Sequence, residues 1–213
     1  MSVSTKKRGR PQDADLRRRR HEEILDAAAT IFADQGYAGT DVQILADTLG
    51  LSKGTIYRYF PSKEQLFLAA VDRGMRRLHC QVETAIADAA EPLQRIGLAI
   101  RAYLTFYRDH PEYTELLIQE RAAFRDRRQP TYFVHREANR GPWRDFYRDL
   151  IAAGRIRDMP VSRIMDVLSD LVYGTMFTAY FAGRDKSPEE QAQDILDVVF
   201  NGILTDAEQR RPG

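Results

Sequence analysis

Apolar residues recur at helical spacing along almost the whole chain, and no Val/Ile/Thr-rich alternating run interrupts them. A sheet needs a period of two somewhere, so the pattern reads as all-α. Local signals divide the helices. Ile24, Leu25, Ala28, Ile31 and Phe32 share one face of a first helix, and Gly36 is placed to end it by taking positive φ. Thr40 and Gln43 read as a T-x-x-Q capping box for a second helix carrying Val42, Leu45, Ala46 and Leu49, which Gly50 closes. Ser52 caps a short third helix, 53–60, stopped by Pro61. Ser62 and Gln65 form another capping box before a longer helix through Leu66, Phe67, Ala70 and Val71. Pro92, Pro111 and Pro188 each take the first position of a helix, where a missing N–H costs nothing. Ser187-Pro188-Glu189-Glu190 is the strongest start signal, Gly141-Pro142 predicts a kink or break, and 155–160 reads as a loop.

At 213 residues, 43% hydrophobic and 30% charged, the chain suits one large or two small globular domains rather than a disordered segment. Its single cysteine, Cys80, excludes an intramolecular disulfide and any multi-cysteine metal centre. The least broken apolar stretch, 171–182, falls short of the roughly 18 residues that a membrane span needs. The basic N-terminus is followed by no apolar segment. The expected setting is therefore the cytoplasm, with no membrane partner. His21, His79, His110 and His135 are scattered without ligand spacing, and Gly50-Leu51-Ser52-Lys53-Gly54 lacks the phosphate-loop frame. The chain thus offers no catalytic group, metal site or cofactor site, and is not expected to be an enzyme.

Charge is distributed unevenly. The first 20 residues carry a net +6 although the whole chain is only +1. A basic arm on a near-neutral body suits a polyanion met at one end, or a solvated tail. Within the arm, Lys7-Arg8-Gly9-Arg10-Pro11 is similar to an AT-hook core, in which Arg8 and Arg10 would lie in a narrow minor groove.

The informative region is 40–63. Two short helices joined by Gly50-Leu51-Ser52 have the helix-turn-helix layout. In the second, Ile56 and Phe60 can face inward while Lys53, Thr55, Tyr57, Arg58 and Tyr59 stay outward or lateral. Gly54 allows close approach of a phosphate or base edge, and the helix N-terminus favours negative charge. Such an edge suits the major groove of DNA; the alternative is a small bundle with an exposed aromatic helix.

The run from Gly50 to Leu66, GLSKGTIYRYFPSKEQL, resembles the signature of TetR-type bacterial transcriptional regulators, as do Ile24-Leu25-Asp26-Ala27-Ala28 and Phe32-Ala33-Asp34-Gln35-Gly36-Tyr37. The resemblance covers roughly residues 20–70. It implies about nine helices, with an N-terminal three-helix DNA-reading unit and a C-terminal ligand-binding and dimerisation domain. By position it assigns Lys53, Gly54, Thr55 and Tyr57 to the major groove and Tyr59 and Lys63 to phosphates. Gln43 would lie near base edges or backbone, and Thr40 near a phosphate. Asp41 stands where the family usually has Thr or Ser; it suits the helix dipole but would repel a phosphate, so it is left out.

The expected organisation is a flexible basic arm over 1–16, a helix-turn-helix domain over 17–65 and an effector and dimerisation domain over 66–213. Ten aromatics crowd 101–150, which suits either an aromatic ligand cavity or ordinary core. Candidate ligand residues are Tyr103, Phe106, Tyr107, Leu117, Glu120, Phe124, Trp143, Phe146, Tyr147, Tyr173 and Phe177. Near the C-terminus, one apolar stripe holds Ile164, Val167, Leu168, Leu171, Val172 and Thr175, and another holds Ile195, Leu196, Val198, Val199, Phe200 and Ile203; the seam candidates among them are Ile164, Leu168, Leu171, Val172, Thr175, Ile195, Val199 and Ile203. The two stripes suit a four-helix seam with a second copy, or burial within the chain. The function expected is a dimeric repressor on a pseudo-palindromic operator in double-stranded DNA, released by a small-molecule effector. The alternative is an architectural DNA-binding protein led by its arm.

Overall fold

The computed structural model describes residues 11–183 and 185–202, with side chains from Ala14 onward. Among the described residues there are ten helices and no strand. They are α1 (Pro11–Gly39), α2 (Val42–Thr48), α3 (Lys53–Tyr59), α4 (Lys63–Ile86), α5 (Pro92–Asp109), α6 (Pro111–Ala123), α7 (Thr131–Ala138), α8 (Arg140–Ala152), α9 (Val161–Ala182) and α10 (Pro188–Asn201). The count exceeds the nine expected, and the break near Gly141-Pro142 contributes: Asn139 parts α7 from α8, so Pro142 falls in the first turn, where its missing N–H removes no helical bond. α1 already begins at Pro11, inside the stretch assigned to the arm, and is interrupted at Gly36, whose φ is 75°. Arg8, Arg10 and Ile203 lie outside the described residues.

The chain forms two compact units. The first takes the chain up to Gly74 together with Glu115–Thr131; the second takes Met75–Thr114 together with Tyr132 onward. Both α4 and α6 therefore give residues to each.

In the first unit, Ile24, Leu25, Ala28 and Phe32 of α1 are buried with Val42, Leu45, Ala46, Ile56, Leu66, Phe67, Ala70 and Val71. Phe67 stands at its aromatic centre, edge-on to Phe32 and Tyr37 at 5.1 Å each and 5.7 Å from Phe124. Arg73 ties α4 to α1 by pairing with Glu22 and Asp26. Leu117 and Glu120 of α6 are buried in this unit. One carboxylate oxygen of Glu120 accepts from Arg127 at 2.5 Å and from the backbone and hydroxyl of Thr131 at 2.9 and 2.8 Å.

In the second unit α5, α8, α9 and α10 share a core of Ile96, Ile100, Leu104, Tyr147, Leu150, Met165, Leu168, Val172, Ala192 and Ile195. A Cβ at Gly97 would stand 3.0 Å from a Leu196 methyl, so the missing side chain is what lets α10 lie this close to α5. No described helix is long and apolar enough to cross a membrane.

Phe67→Ala should cost about 3–5 kcal/mol, because the rings around it cannot collapse into the space it leaves. The midpoint of urea unfolding would show the loss, and an unchanged midpoint would contradict the packing described.

Candidate nucleic-acid interface and effector cavity

Seven residues make a helix too short to persist alone, so α3 depends on its anchors. Ile56 is fully buried beneath it. Ser52 caps it, accepting the Thr55 N–H at 3.1 Å, while the two hydroxyls lie 2.9 Å apart. Gly50, with φ 62°, makes the turn from α2. With the inner face fixed, Gly54, Tyr57 and Arg58 are exposed and Lys53 and Thr55 half-exposed. Tyr57, 37% exposed, is a large aromatic that reaches water.

The other residues assigned to DNA are placed as follows. Gln43 is exposed on α2 and donates to Asp47 at 2.7 Å. Lys63 is half-buried; its ammonium donates to the Ala38 carbonyl at 3.1 Å and lies 5.0 Å from the Tyr37 ring centre. Tyr59 is half-buried, with Arg17 5.9 Å above its ring. Thr40 departs from the expectation. It is buried and its hydroxyl donates to the Gly36 carbonyl at 2.8 Å, which closes the turn after the Gly36 break. It does not cap α2.

The cap is Asp41, which accepts the Gln43 N–H at 2.9 Å. The same carboxylate oxygen lies 2.6 Å from the Lys53 ammonium, joining the start of α2 to the start of α3. The backbone N–H of Gln43 and the Lys53 charge hold the Asp41 carboxyl below its usual range; the carboxylate in turn raises Lys53. The start of the recognition helix thus carries a cation already opposed by a carboxylate.

The second unit encloses a cavity of about 230 Å³. Helix α4 supplies Met75, Leu78, His79 and Val82; α5 supplies Ile96, Ala99, Ile100 and Tyr103. From α7 and α8 come Tyr132, His135, Arg136, Arg140, Trp143 and Tyr147, with Asn139 between them. Met165, Leu168, Ser169 and Val172 of α9 complete the wall. Three of the nominated ligand residues, Tyr103, Trp143 and Tyr147, meet here. Tyr107 is buried beside Met75, and Tyr173 rests on Tyr132 at 4.6 Å. Phe106 stacks on Tyr113, Phe146 lies under Arg95, and Phe177 packs on Tyr173. None of these five lines the cavity. Leu117, Glu120 and Phe124 belong to the first unit, where α6 turns them into a different core. The α4 residues and Met165 were missed because buried wall and buried core carry the same helical spacing.

The nominated seam residues need a similar correction. Leu168, Val172 and Ile195 face their own core, with Ile164 and Val199 packed against it; Thr175 is half-buried. The outward apolar stripe of α9 runs instead through Val167, Leu171, Gly174, Thr178 and Phe181, with Val198 and Phe200 exposed on α10.

Tyr103 donates to Tyr132 at 3.1 Å. Burial, aided by neighbouring phenols, pushes Tyr103 and Tyr107 well above the ordinary tyrosine range; burial lifts Tyr132 to about 12 and also raises Tyr147. These groups remain neutral donors at neutral pH. An unfolded tyrosine ionises near pH 10, so the unfolded chain loses these protons first and stability falls as pH rises from about 10 to 12. Denaturant melts across that window should show the decline, and Tyr103→Phe with Tyr132→Phe should lessen it, Tyr107 and Tyr147 keeping the remainder. A flat profile in the parent protein would contradict the burial.

Residues 24–70 match the family model described as bacterial regulatory proteins, tetR family. The chain is 28% identical over 189 residues to the HTH-type transcriptional repressor KstR2 of Mycolicibacterium smegmatis, covering 86% of this chain and 90% of that one. Among solved structures, Bacillus subtilis FadR in complex with stearoyl-CoA matches at TM-score 0.71 and 18% identity, over 86% of this chain and all of that one. AibR in complex with isovaleryl coenzyme A and operator DNA matches at 0.63 and 22%, over 84% and 97%. With the signature seated on a short, core-anchored helix after a tight turn, residues 24–70 form a helix-turn-helix unit of the tetR type, and the chain as a whole is similar to TetR-type transcriptional regulators.

Proposed function

We propose that the protein is a homodimeric cytoplasmic repressor that binds a pseudo-palindromic operator through α3 and is released when a small molecule fills the cavity of the second unit. The observation carrying this reading is α3 itself: a helix held from below by Ile56, with Tyr57, Gly54 and Arg58 turned to water. Two such helices must lie about 34–36 Å apart to enter successive major grooves. The exposed stripe of α9 with Val198 and Phe200 is the surface we assign to the second copy. Complexes of FadR with stearoyl-CoA and of AibR with isovaleryl coenzyme A support effector binding on this fold. Helix α4 is the covalent path between the two activities, since it lines the cavity with Met75 and Leu78 and anchors the first unit with Leu66 and Phe67. The domain limits read from the sequence, 17–65 and 66–213, belong to the same proposal. Release requires the effector to prefer the DNA-incompetent state.

The test is mobility shift on the DNA upstream of the protein's own gene, across a salt series, with scrambled DNA as control. Tight, sequence-dependent binding supports the reading; equal binding to both DNAs with steep salt dependence sinks it in favour of an architectural role. Within that assay Lys63→Ala should weaken binding to all sequences alike and lower the salt slope by about 1, whereas Tyr57→Ala should erode the preference for the operator.

Asp41→Asn should do the reverse of Lys63→Ala. Freed of its carboxylate, Lys53 meets phosphate or base without competition, and binding to any duplex tightens by up to about fivefold at low salt, a gain that fades as salt rises. Unchanged affinity at low salt would show that the pair has no part in DNA contact.

A further inference from the structure

The cavity is chemically lopsided, and the lopsidedness names a class of effector. Thirteen of its nineteen wall residues are apolar or aromatic; the other six are histidine, arginine, asparagine and serine. No acidic side chain lines it among the described residues, so a cationic ligand would find no partner. Arg136 and Arg140 sit four residues apart, at the end of α7 and the start of α8, with side chains only 22% and 16% exposed.

Their carboxylate partners stand outside the wall. Arg140 donates to Asp166 at 2.8 Å and lies 3.7 Å from Glu137; Arg136 donates to Asp170 at 3.1 Å and lies 3.5 Å from Asp166. Asp170 and Glu137 are well exposed and Asp166 nearly half exposed, so water screens much of their charge. These contacts orient the two guanidiniums without exhausting them, because each offers five N–H donors in a planar fork. A planar fork matches a carboxylate through two parallel hydrogen bonds. The wall also carries the aromatic side chains of Tyr103, Tyr147 and Trp143. An apolar cavity of about 150 Å³ takes benzene, so about 230 Å³ takes a body of one to two rings or a medium-length chain.

We propose that the effector is a compact hydrophobic carboxylate, its body among the aromatic residues and its carboxylate on the guanidiniums of Arg136 and Arg140. The assignment rests on the reading of this cavity as the effector site. Asp166 is the internal competitor: it already holds both guanidiniums, and an entering carboxylate must share them.

The protein carries its own reporter, because Trp143, its single tryptophan, lines the cavity. Decanoate, decanamide and decanoyl coenzyme A are titrated against the full chain without DNA, following tryptophan fluorescence. Decanoate should quench saturably and bind at least about tenfold more tightly than decanamide, as a charge-assisted pair predicts. Arg140→Gln should bring the two to parity. Asp166→Asn should widen the gap, an opposite sign that general loosening of the fold would not produce; it also keeps the test open if Arg140→Gln does not fold. Equal binding of acid and amide, retention of the preference in Arg140→Gln, tighter binding of the thioester than of the acid, or no quenching by any of the three overturns the proposal. Decanoate that binds as expected but leaves the operator complex intact sustains the carboxylate site and rejects its role as effector site.

Discussion

An α-helix has one phase along its whole length, and α4 puts that constraint to use. Phe67 and Val71 are buried in the first unit; Met75, Leu78 and Val82 then continue the same stripe along the cavity wall. Each residue is fixed at about 100° and 1.5 Å from the last by the backbone hydrogen bonds. The stripe therefore changes surroundings without changing register. Within the first unit Phe67 is the ring on which Phe32, Tyr37 and Phe124 close. No proline interrupts α4, and Gly74 stands between Val71 and Met75, where the first unit passes to the second.

The DNA-reading end was legible because its signals are local. Ser52, Gly50 and Pro61 each act within a few residues of themselves, and the structure puts the cap, the turn and the end of the helix where they stand. Local signals also misled where two candidates stood side by side. Thr40 and Asp41 can both cap a helix. The Gly36 break brings a carbonyl within reach of the Thr40 hydroxyl, and Asp41 is left for the cap. Only a backbone conformation could decide that.

The cavity was legible in kind but not in detail. Aromatics at helical spacing look alike whether they meet each other, a ligand or a foreign core. Phe124 and Trp143 lie close in sequence, yet Phe124 packs on Tyr37 and Trp143 faces the cavity. The division is set by α6 and α4, each of which serves both units, and sequence periodicity has no term for a helix with two sets of neighbours. Periodicity likewise could not say which residues of the α9 stripe face outward. Leu168 and Val167 are adjacent and equally apolar, and only the packing of α5, α8 and α10 selects which faces inward.

The contact at Gly97 joins α5, which lines the cavity, to α10, which does not. There α5 and α10 approach so closely that the smallest possible side chain shifts Leu196. Close-packed faces of this sort have little slack and do not deform by degrees. The α7 and α8 part of the wall is built differently: the two helices are parted at Asn139, and Arg136 and Arg140 also reach α9 through long side chains. Attempts to refit the cavity to another molecule belong on that jointed wall, where a longer or shorter side chain can be absorbed. At Gly97 one added methyl would meet the Leu196 side chain, which would have to shift by a few tenths of an ångström.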